Sequence, residues 1–161
     1  VLIELNGRLG NNLFQLAFGE ELKKKKKYKI FYIPKNSKIG NIGYFKRFSE
    51  LLQPSGVLVI AVPNYTSTDA NIYGHHWAAL DTPRHLYHFS PASMELLTDA
   101  HGFTIIAKKA MWFDAFYVAM LTEQHNVGSF LKAILVGLWS NVTVLLDVNK
   151  CSSVIYAFKK K

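Results

Sequence analysis

Cysteine is nearly absent from this chain. Cys151 is the one cysteine among 161 residues, so no disulfide can form within the chain. Small secreted domains usually depend on several disulfides, and no signal peptide is recognisable at the start of the sequence. The two features together predict a cytoplasmic protein.

Long hydrophobic runs are also missing. The most apolar stretch, residues 133–146, contains fourteen uncharged residues, whereas a membrane-spanning helix needs about 20. This length predicts a buried or partner-covered segment and no membrane span.

Positive charge is plentiful but unevenly placed. The net charge is +8, yet five lysines form one run at Lys23–Lys27 and three more end the chain at Lys159–Lys161. Without these eight lysines, 11 basic residues balance 11 acidic ones. A nucleic-acid interface spreads Lys and Arg over several elements, so the sequence predicts no specific nucleic-acid partner.

Apolar residues make up half of the sequence, enough for the core of one compact domain over residues 1–161. Predicted strands alternate with predicted helices, which favours a Rossmann-like α/β fold with a mostly parallel sheet covered by helices on both faces. The strands are predicted at residues 1–5, 29–33, 57–64, 103–112 and 151–158. The helices are predicted at residues 13–25, 44–52, 91–101 and 113–121 and in part of 129–139, and residues 36–43 are predicted to form a loop.

Local sequence signals support two of these predicted elements. Ser90 followed by Pro91 is typical of a helix start, and Gly102 suits its end. The continuous apolar run VLVIAVPN, residues 57–64, predicts a strand buried on both faces, as in the centre of a parallel sheet.

The stretch LDTPRHLYHFSP, residues 80–91, concentrates chemically active side chains just beyond that strand. Ligands of open α/β sheets bind outside the carboxyl ends of the strands. We therefore expect Asp81 and Arg84 to bind a substrate there, and His85 or His88 to act as general base. The alternative interpretation is that Arg84 pairs with Asp81 and that both histidines only brace the loop.

Aromatic residues around this stretch are candidate walls of a substrate pocket, although aromatic side chains in such loops more often pack in the core. These candidates are Tyr65, Tyr73, Trp77 and Tyr87. His75 and His76 add two histidines nearby, but neither this pair nor His85-x-x-His88 has a familiar zinc spacing, so no metal site is predicted.

From Tyr44 to the C-terminus, the sequence resembles a class I S-adenosylmethionine-dependent methyltransferase. The resemblance rests on SELLQPSGVLVIAVPNY, on YGHHWAALDTPRHLYHFSPASMELL and on the following HGF. It implies S-adenosylmethionine as cofactor and methyl transfer to a small-molecule acceptor, with residues 44–161 as the C-terminal half that holds the acceptor loop.

Residues 1–43 resemble a degenerate cofactor-binding β-α-β segment of the same family. Glu4, Gly7, Gly10 and Asn11 would frame the cofactor there, but Asn6 and Arg8 occupy positions at which the family has glycine. The section before Tyr44 is also too short for the usual central elements. A non-catalytic scaffold or partner-binding module is therefore the alternative function, and the unpaired sheet edges predict a homo-oligomer.

A second resemblance covers residues 7–19. GRLGNNLFQLAFG is similar to the N-terminal signature of the α-1,2-fucosyltransferases, which use GDP-fucose. That family's later HxRRxD motif has no match, so the resemblance implies at most a nucleotide-sugar-binding remnant.

Overall fold

The computed structural model describes residues 2–4, 31–33, 41–81, 85, 87–126 and 128–161. The strands are β1 (Leu2–Glu4), β2 (Phe31–Ile33), β3 (Leu58–Pro63), β4 (Phe103–Ala110) and β5 (Ser153–Lys160). The helices are α1 (Asn41–Leu51), α2 (Thr68–Tyr73), α3 (Pro91–Ala100), α4 (Asp114–His125) and α5 (Phe130–Leu146). Short 3₁₀ turns lie at Gly74–His76, Ala78–Leu80 and Val148–Lys150.

The first two strands form a parallel pair, with Leu2 opposite Phe31 and Glu4 opposite Ile33. This arrangement confirms the parallel pairing predicted for the N-terminal β-α-β segment. The helix predicted between the two strands, residues 13–25, lies outside the described residues.

The larger sheet differs from the prediction. Its strand order is β3-β5-β4, and β5 runs antiparallel to both neighbours. The α/β class is confirmed, but the mostly parallel sheet is not what the described strands form. β3 and β4 do run in the same direction, as a β-α-β unit requires. The last strand, β5, lies between them and is hydrogen-bonded along both of its edges. Its alternate residues Val154, Tyr156 and Phe158 are buried together, as expected for a central strand.

The expected burial of β3 on both faces is wrong. Leu58 is buried, but Ala61 is exposed and most other residues of the strand are only half-buried. In the described part of the chain, β3 lies at one side of the antiparallel sheet and its ladder is formed with β5. A continuous apolar run therefore marks a strand here without placing it in the middle of the sheet.

The start and end of α3 follow the sequence signals closely. α3 begins with a capping box in which Ser90 Oγ accepts from the Ser93 N–H and Ser93 Oγ accepts from the Ser90 N–H. Gly102 has φ 75°, a left-handed conformation that suits the residue after a helix. α1 begins at Asn41, so residues 41–43 of the predicted loop are helical.

Two clusters of buried side chains form the core of the part of the chain that the structure describes. One packs between the antiparallel sheet and the helices around it: Phe45, Leu58, Met94, Phe103, Val144, Cys151, Val154, Tyr156 and Phe158. The other joins α2, α4 and α5: Ala70, Tyr73, Trp77, Val118, Ala119, Ala133 and Val136. α5 contributes to both clusters and so connects the sheet to the helical part of the molecule.

Candidate functional site

The candidate site begins where three strand ends meet. Pro63 at the end of β3 pairs with Ser153 at the start of β5, and Ala110 at the end of β4 pairs with the neighbouring Val154. Residues 64–90, here called the edge segment, leave the sheet at this point. The carboxyl ends of β3 and β4 thus lie at one edge, which is where α/β proteins bind ligands.

Asn64 fixes the start of the edge segment. Its side-chain Nδ2 donates to the carbonyl oxygens of Asn149 at 2.7 Å and Cys151 at 3.0 Å. Its Oδ1 accepts from the backbone N–H and the hydroxyl of Thr66. Because Asn64 is buried and both ends of its amide are bonded, it locks the first turn of the segment to the chain leading into β5.

Asp69 is the buried centre of the segment. Its Oδ2 accepts from Trp77 Nε1 at 2.8 Å and Ser152 Oγ at 2.7 Å, and its Oδ1 accepts from Ser140 Oγ at 3.2 Å. A buried carboxylate is tolerated only when its oxygens are satisfied. These three donors therefore join the edge segment, α5 and the start of β5 at one point.

A second carboxyl group lies close to the first. Burial raises the pKa of Asp114, which begins α4, and the negative charge of Asp69 raises it further. The side chains of Ser153 and Ser152 act in the opposite direction and lower the pKa of Asp114. The two aspartates and the two serines thus form a polar cluster beneath the edge segment.

The two histidines of the edge segment each contact a backbone carbonyl. His85 Nδ1 lies 3.2 Å from Ala79 O, and His88 Nε2 lies 2.9 Å from Leu80 O. A carbonyl oxygen only accepts, so the contacting nitrogen of each neutral ring carries the proton. The other nitrogen, Nε2 of His85 and Nδ1 of His88, is then an acceptor. Both side chains are half-buried.

Asp81 shapes the turn between these histidines and the 3₁₀ turn at Ala78–Leu80. Its backbone is left-handed, with φ 35° and ψ 44°, a conformation that Asp adopts more readily than most residues. Its N–H donates to Ala78 O, and its carbonyl accepts from the His85 N–H at 3.1 Å. Asp81 therefore positions His85 through the backbone.

The predicted aromatic wall divides into exposed and buried residues. Tyr65 and Tyr87 are 46% and 57% exposed, and the Tyr65 N–H donates to Phe89 O, which ties the two ends of the segment together. Trp77 is 2% exposed and points its indole N–H at Asp69. Trp77 thus supports the segment from the core, whereas the two tyrosines are open to a ligand.

Several predicted site residues cannot be compared with this arrangement. Arg84, Gly7, Gly10 and Asn11 lie outside the described residues. Glu4 is the last residue of β1, paired with Ile33. The roles predicted for these residues stay predictions.

Sequence reasoning missed Asn64, Asp69 and Ser152. Asn64 follows directly on the β3 strand, a position that is often functional in α/β proteins, and Ser67 ahead of Asp69 is a helix-start signal. The sequence does not reveal the hydrogen-bond partners of these residues, because Ser140 and Ser152, which bond to Asp69, lie 71 and 83 positions away from it.

In the described part of the chain, no three side chains of His, Cys, Asp or Glu come together as ligands for a metal ion. The rings of His75 and His76 contact each other with 3.9 Å between their centroids and an angle of 44° between their planes. None of the described helices has the length and apolar character needed to cross a membrane.

Comparison with protein families supports a methyltransferase domain. Residues 40–108 match a family model described as a methyltransferase domain, and the matched range includes α1, β3, the edge segment, α3 and most of β4. No curated protein matches the chain. The resemblance of residues 7–19 to fucosyltransferases gains no support.

Proposed function

We propose that this protein transfers a methyl group from S-adenosylmethionine to a small-molecule acceptor held at the edge segment, with His85 or His88 as general base. The methyltransferase match covers this segment in full. The observation that carries the proposal is that each of the two histidines contacts a backbone carbonyl through one ring nitrogen, which orients the ring and leaves its other nitrogen outside that contact.

This arrangement suits a base for methyl transfer to oxygen or nitrogen. An acceptor O–H or N–H must lose its proton as the new bond to carbon forms, and a neutral imidazole nitrogen can take that proton. The carbonyl contact on the other nitrogen fixes the ring orientation and stabilises the imidazolium that results. The acceptor would lie above the segment, beside the exposed rings of Tyr65 and Tyr87.

The buried part of the site gives the segment its rigidity. Asn64 and Asp69 connect it to β5 and α5 through fully buried hydrogen bonds, and Thr122 Oγ1 of α4 accepts from the Ala78 N–H at 2.9 Å. Positioning of reacting groups supplies much of an enzyme's rate acceleration. The segment therefore has the anchoring that a catalytic loop needs.

The cofactor would supply the methyl group as an electrophilic sulfonium substituent and leave as S-adenosylhomocysteine. Glu4 stands at the end of β1, in the place where the resemblance puts the acidic residue, and the parallel pairing of β1 with β2 suits a cofactor-binding edge. The part of this chain that acts on the acceptor is the edge segment.

Calorimetric titration with S-adenosylmethionine and S-adenosylhomocysteine tests the cofactor. We expect micromolar binding of both compounds and no heat from GDP-fucose, which serves as the control. Absence of heat from the first two compounds, on protein with a folded circular dichroism spectrum, would reject the enzymatic proposal. It would favour the alternative of a non-catalytic, partner-binding module.

Two isosteric variants test the base. His85→Asn keeps a donor for Ala79 O, and His88→Gln keeps a donor for Leu80 O, while each removes the free ring nitrogen. We expect one of the two variants to release S-adenosylhomocysteine about 10²- to 10⁴-fold more slowly, with small phenols and amines as acceptors. Binding of S-adenosylmethionine should be unchanged in both, so unimpaired turnover in both variants would rule out a catalytic histidine.

A further inference from the structure

Helix α5 is apolar on the side that the core does not use. Its buried residues Ala133, Val136, Gly137, Ser140 and Val144 face the rest of the molecule. Large hydrophobic side chains cover the opposite side, about half exposed or more: Leu131, Leu135, Leu138, Trp139, Val142 and Leu145. A helix that is apolar all round is normally buried all round.

The exposed residues have the spacing of a helix-pairing seam. Leu131, Leu135, Leu138, Val142 and Leu145 follow one another at intervals of four, three, four and three residues. This is the a/d pattern by which two helices pack with interlocking side chains. The pattern points to a helix as the partner of this face, here called the α5 seam.

The charges around α5 argue against a lipid surface. Helices that lie on membranes carry Lys and Arg on a polar face opposite the apolar one. α5 contains one charged residue, Lys132, and its Nζ lies 2.8 Å from Glu123 Oε1 of α4. The side of α5 opposite the seam is protein core, so α5 has no cationic face to offer to lipid headgroups.

The area is large enough for a stable dimer. From their exposed fractions, the six hydrophobic residues present roughly 700 Å², more than the largest apolar patch of most monomers, about 300–600 Å². A standard interface covers about 800 Å² on each partner. One further copy of the same helix, with its neighbouring residues, would cover the seam.

We infer that the α5 seam is the interface of a homodimer, in which α5 of one copy packs against α5 of the other. Two-fold symmetry is the usual arrangement of such pairs. It lets one self-complementary surface serve both partners. None of the seam residues belongs to the edge segment that carries the histidines, so the test of the dimer is independent of methyl transfer.

Light scattering after gel filtration, over a concentration series, tests the dimer. We expect the full chain to be dimeric in the micromolar range and the double variant Leu135→Glu, Leu138→Glu to raise the dissociation constant at least about 100-fold. The matched control is Leu96→Glu, which changes a leucine on α3 that is more exposed than either substituted seam residue. The control should remain dimeric, and all three proteins should give the same far-ultraviolet circular dichroism spectrum.

Oxidative crosslinking locates the interface. Cys151 is buried, so Leu138→Cys adds the one accessible thiol among the described residues. Leu138 lies at the middle of the seam and should form a crosslinked dimer, whereas Leu96→Cys on α3 should not. A monomeric full chain, a dimer that survives the double glutamate substitution, or binding of a monomer to phosphatidylcholine vesicles would each overturn the inference.

Discussion

At the scale of single residues, Asp69 is the most informative side chain. It is fully buried and accepts hydrogen bonds from three elements that are far apart in the sequence. Such a group adds little net stability by itself, but removal of its donors leaves a charge without compensation. Asp69 therefore determines the position of the edge segment on the core and adds little to the free energy of unfolding.

The carboxyl group of Asp114 gives stability a pH dependence. Because burial raises its pKa in the folded state, protonation favours folding. Stability therefore falls as pH rises from the ordinary value of 3.8 through the raised folded pKa. We expect Asp114→Asn to remove this fall. The free energy of unfolding of the variant should therefore exceed that of the parent by an amount that grows across this pH range and is constant above it. Urea unfolding at a series of pH values measures the difference.

Glu123 is the matched control with the opposite sign. Its contact with Lys132 lowers its pKa, so its contribution is present above the ordinary value of 4.5 and is lost as pH falls through the lower folded pKa. Glu123→Gln should therefore be less stable than the parent at pH 7, with the difference closing in acid. Parallel pH profiles for the Asp114 and Glu123 variants would contradict both assignments.

At the scale of elements, the helix starts differ in how they are capped. Ser90 makes a reciprocal capping box with Ser93, whereas Ser129 precedes α5 without a side-chain cap. We expect Ser90→Ala to lower the free energy of unfolding by about 1 kcal/mol. Ser129→Ala should change it by less than about 0.5 kcal/mol. Chemical unfolding of both variants compares them directly, and equal losses would show that the Ser90 cap adds nothing.

The difference between short-range and long-range contacts explains how much of the fold the sequence predicts. The capping box joins residues three positions apart, and Ser90 with Pro91 therefore marked the start of α3 correctly. The β1–β2 pair was also predictable, because a β-α-β segment favours parallel strands. The hydrogen bonds of Asn64 span 85 and 87 residues, and no local pattern encodes a contact of that range.

The candidate site was predictable to a similar extent. Residue types alone made His85 and His88 candidates for the general base, since few side chains titrate near neutral pH. Their tautomers depend on Ala79 O and Leu80 O, which the turn at Ala78–Leu80 brings within reach. Trp77 was predicted to line the acceptor pocket, but its indole lies in the core because Asp69 provides a buried acceptor.

At the scale of the whole molecule, β5 holds the domain together. It pairs with β3 on one edge and β4 on the other, and residues just before it bond to Asn64 and Asp69. The last strand of the chain thus connects the edge segment, the sheet and, through Ser140, helix α5. Order at the candidate site should therefore depend on this strand.

Proline substitutions test that dependence. Ala157 lies in the middle of β5, opposite both Val59 and Ala107, whereas Ile106 lies at the irregularity between Ile105 and Ala107 in β4. Proline removes a backbone donor and is tolerated at bulges and edges but not in central strands. We expect Ala157→Pro to cost about 3 kcal/mol or more and Ile106→Pro clearly less. Thermal unfolding followed by circular dichroism measures both, and a cooperative transition at the parent temperature in Ala157→Pro would show that β5 is not the strand on which the sheet depends.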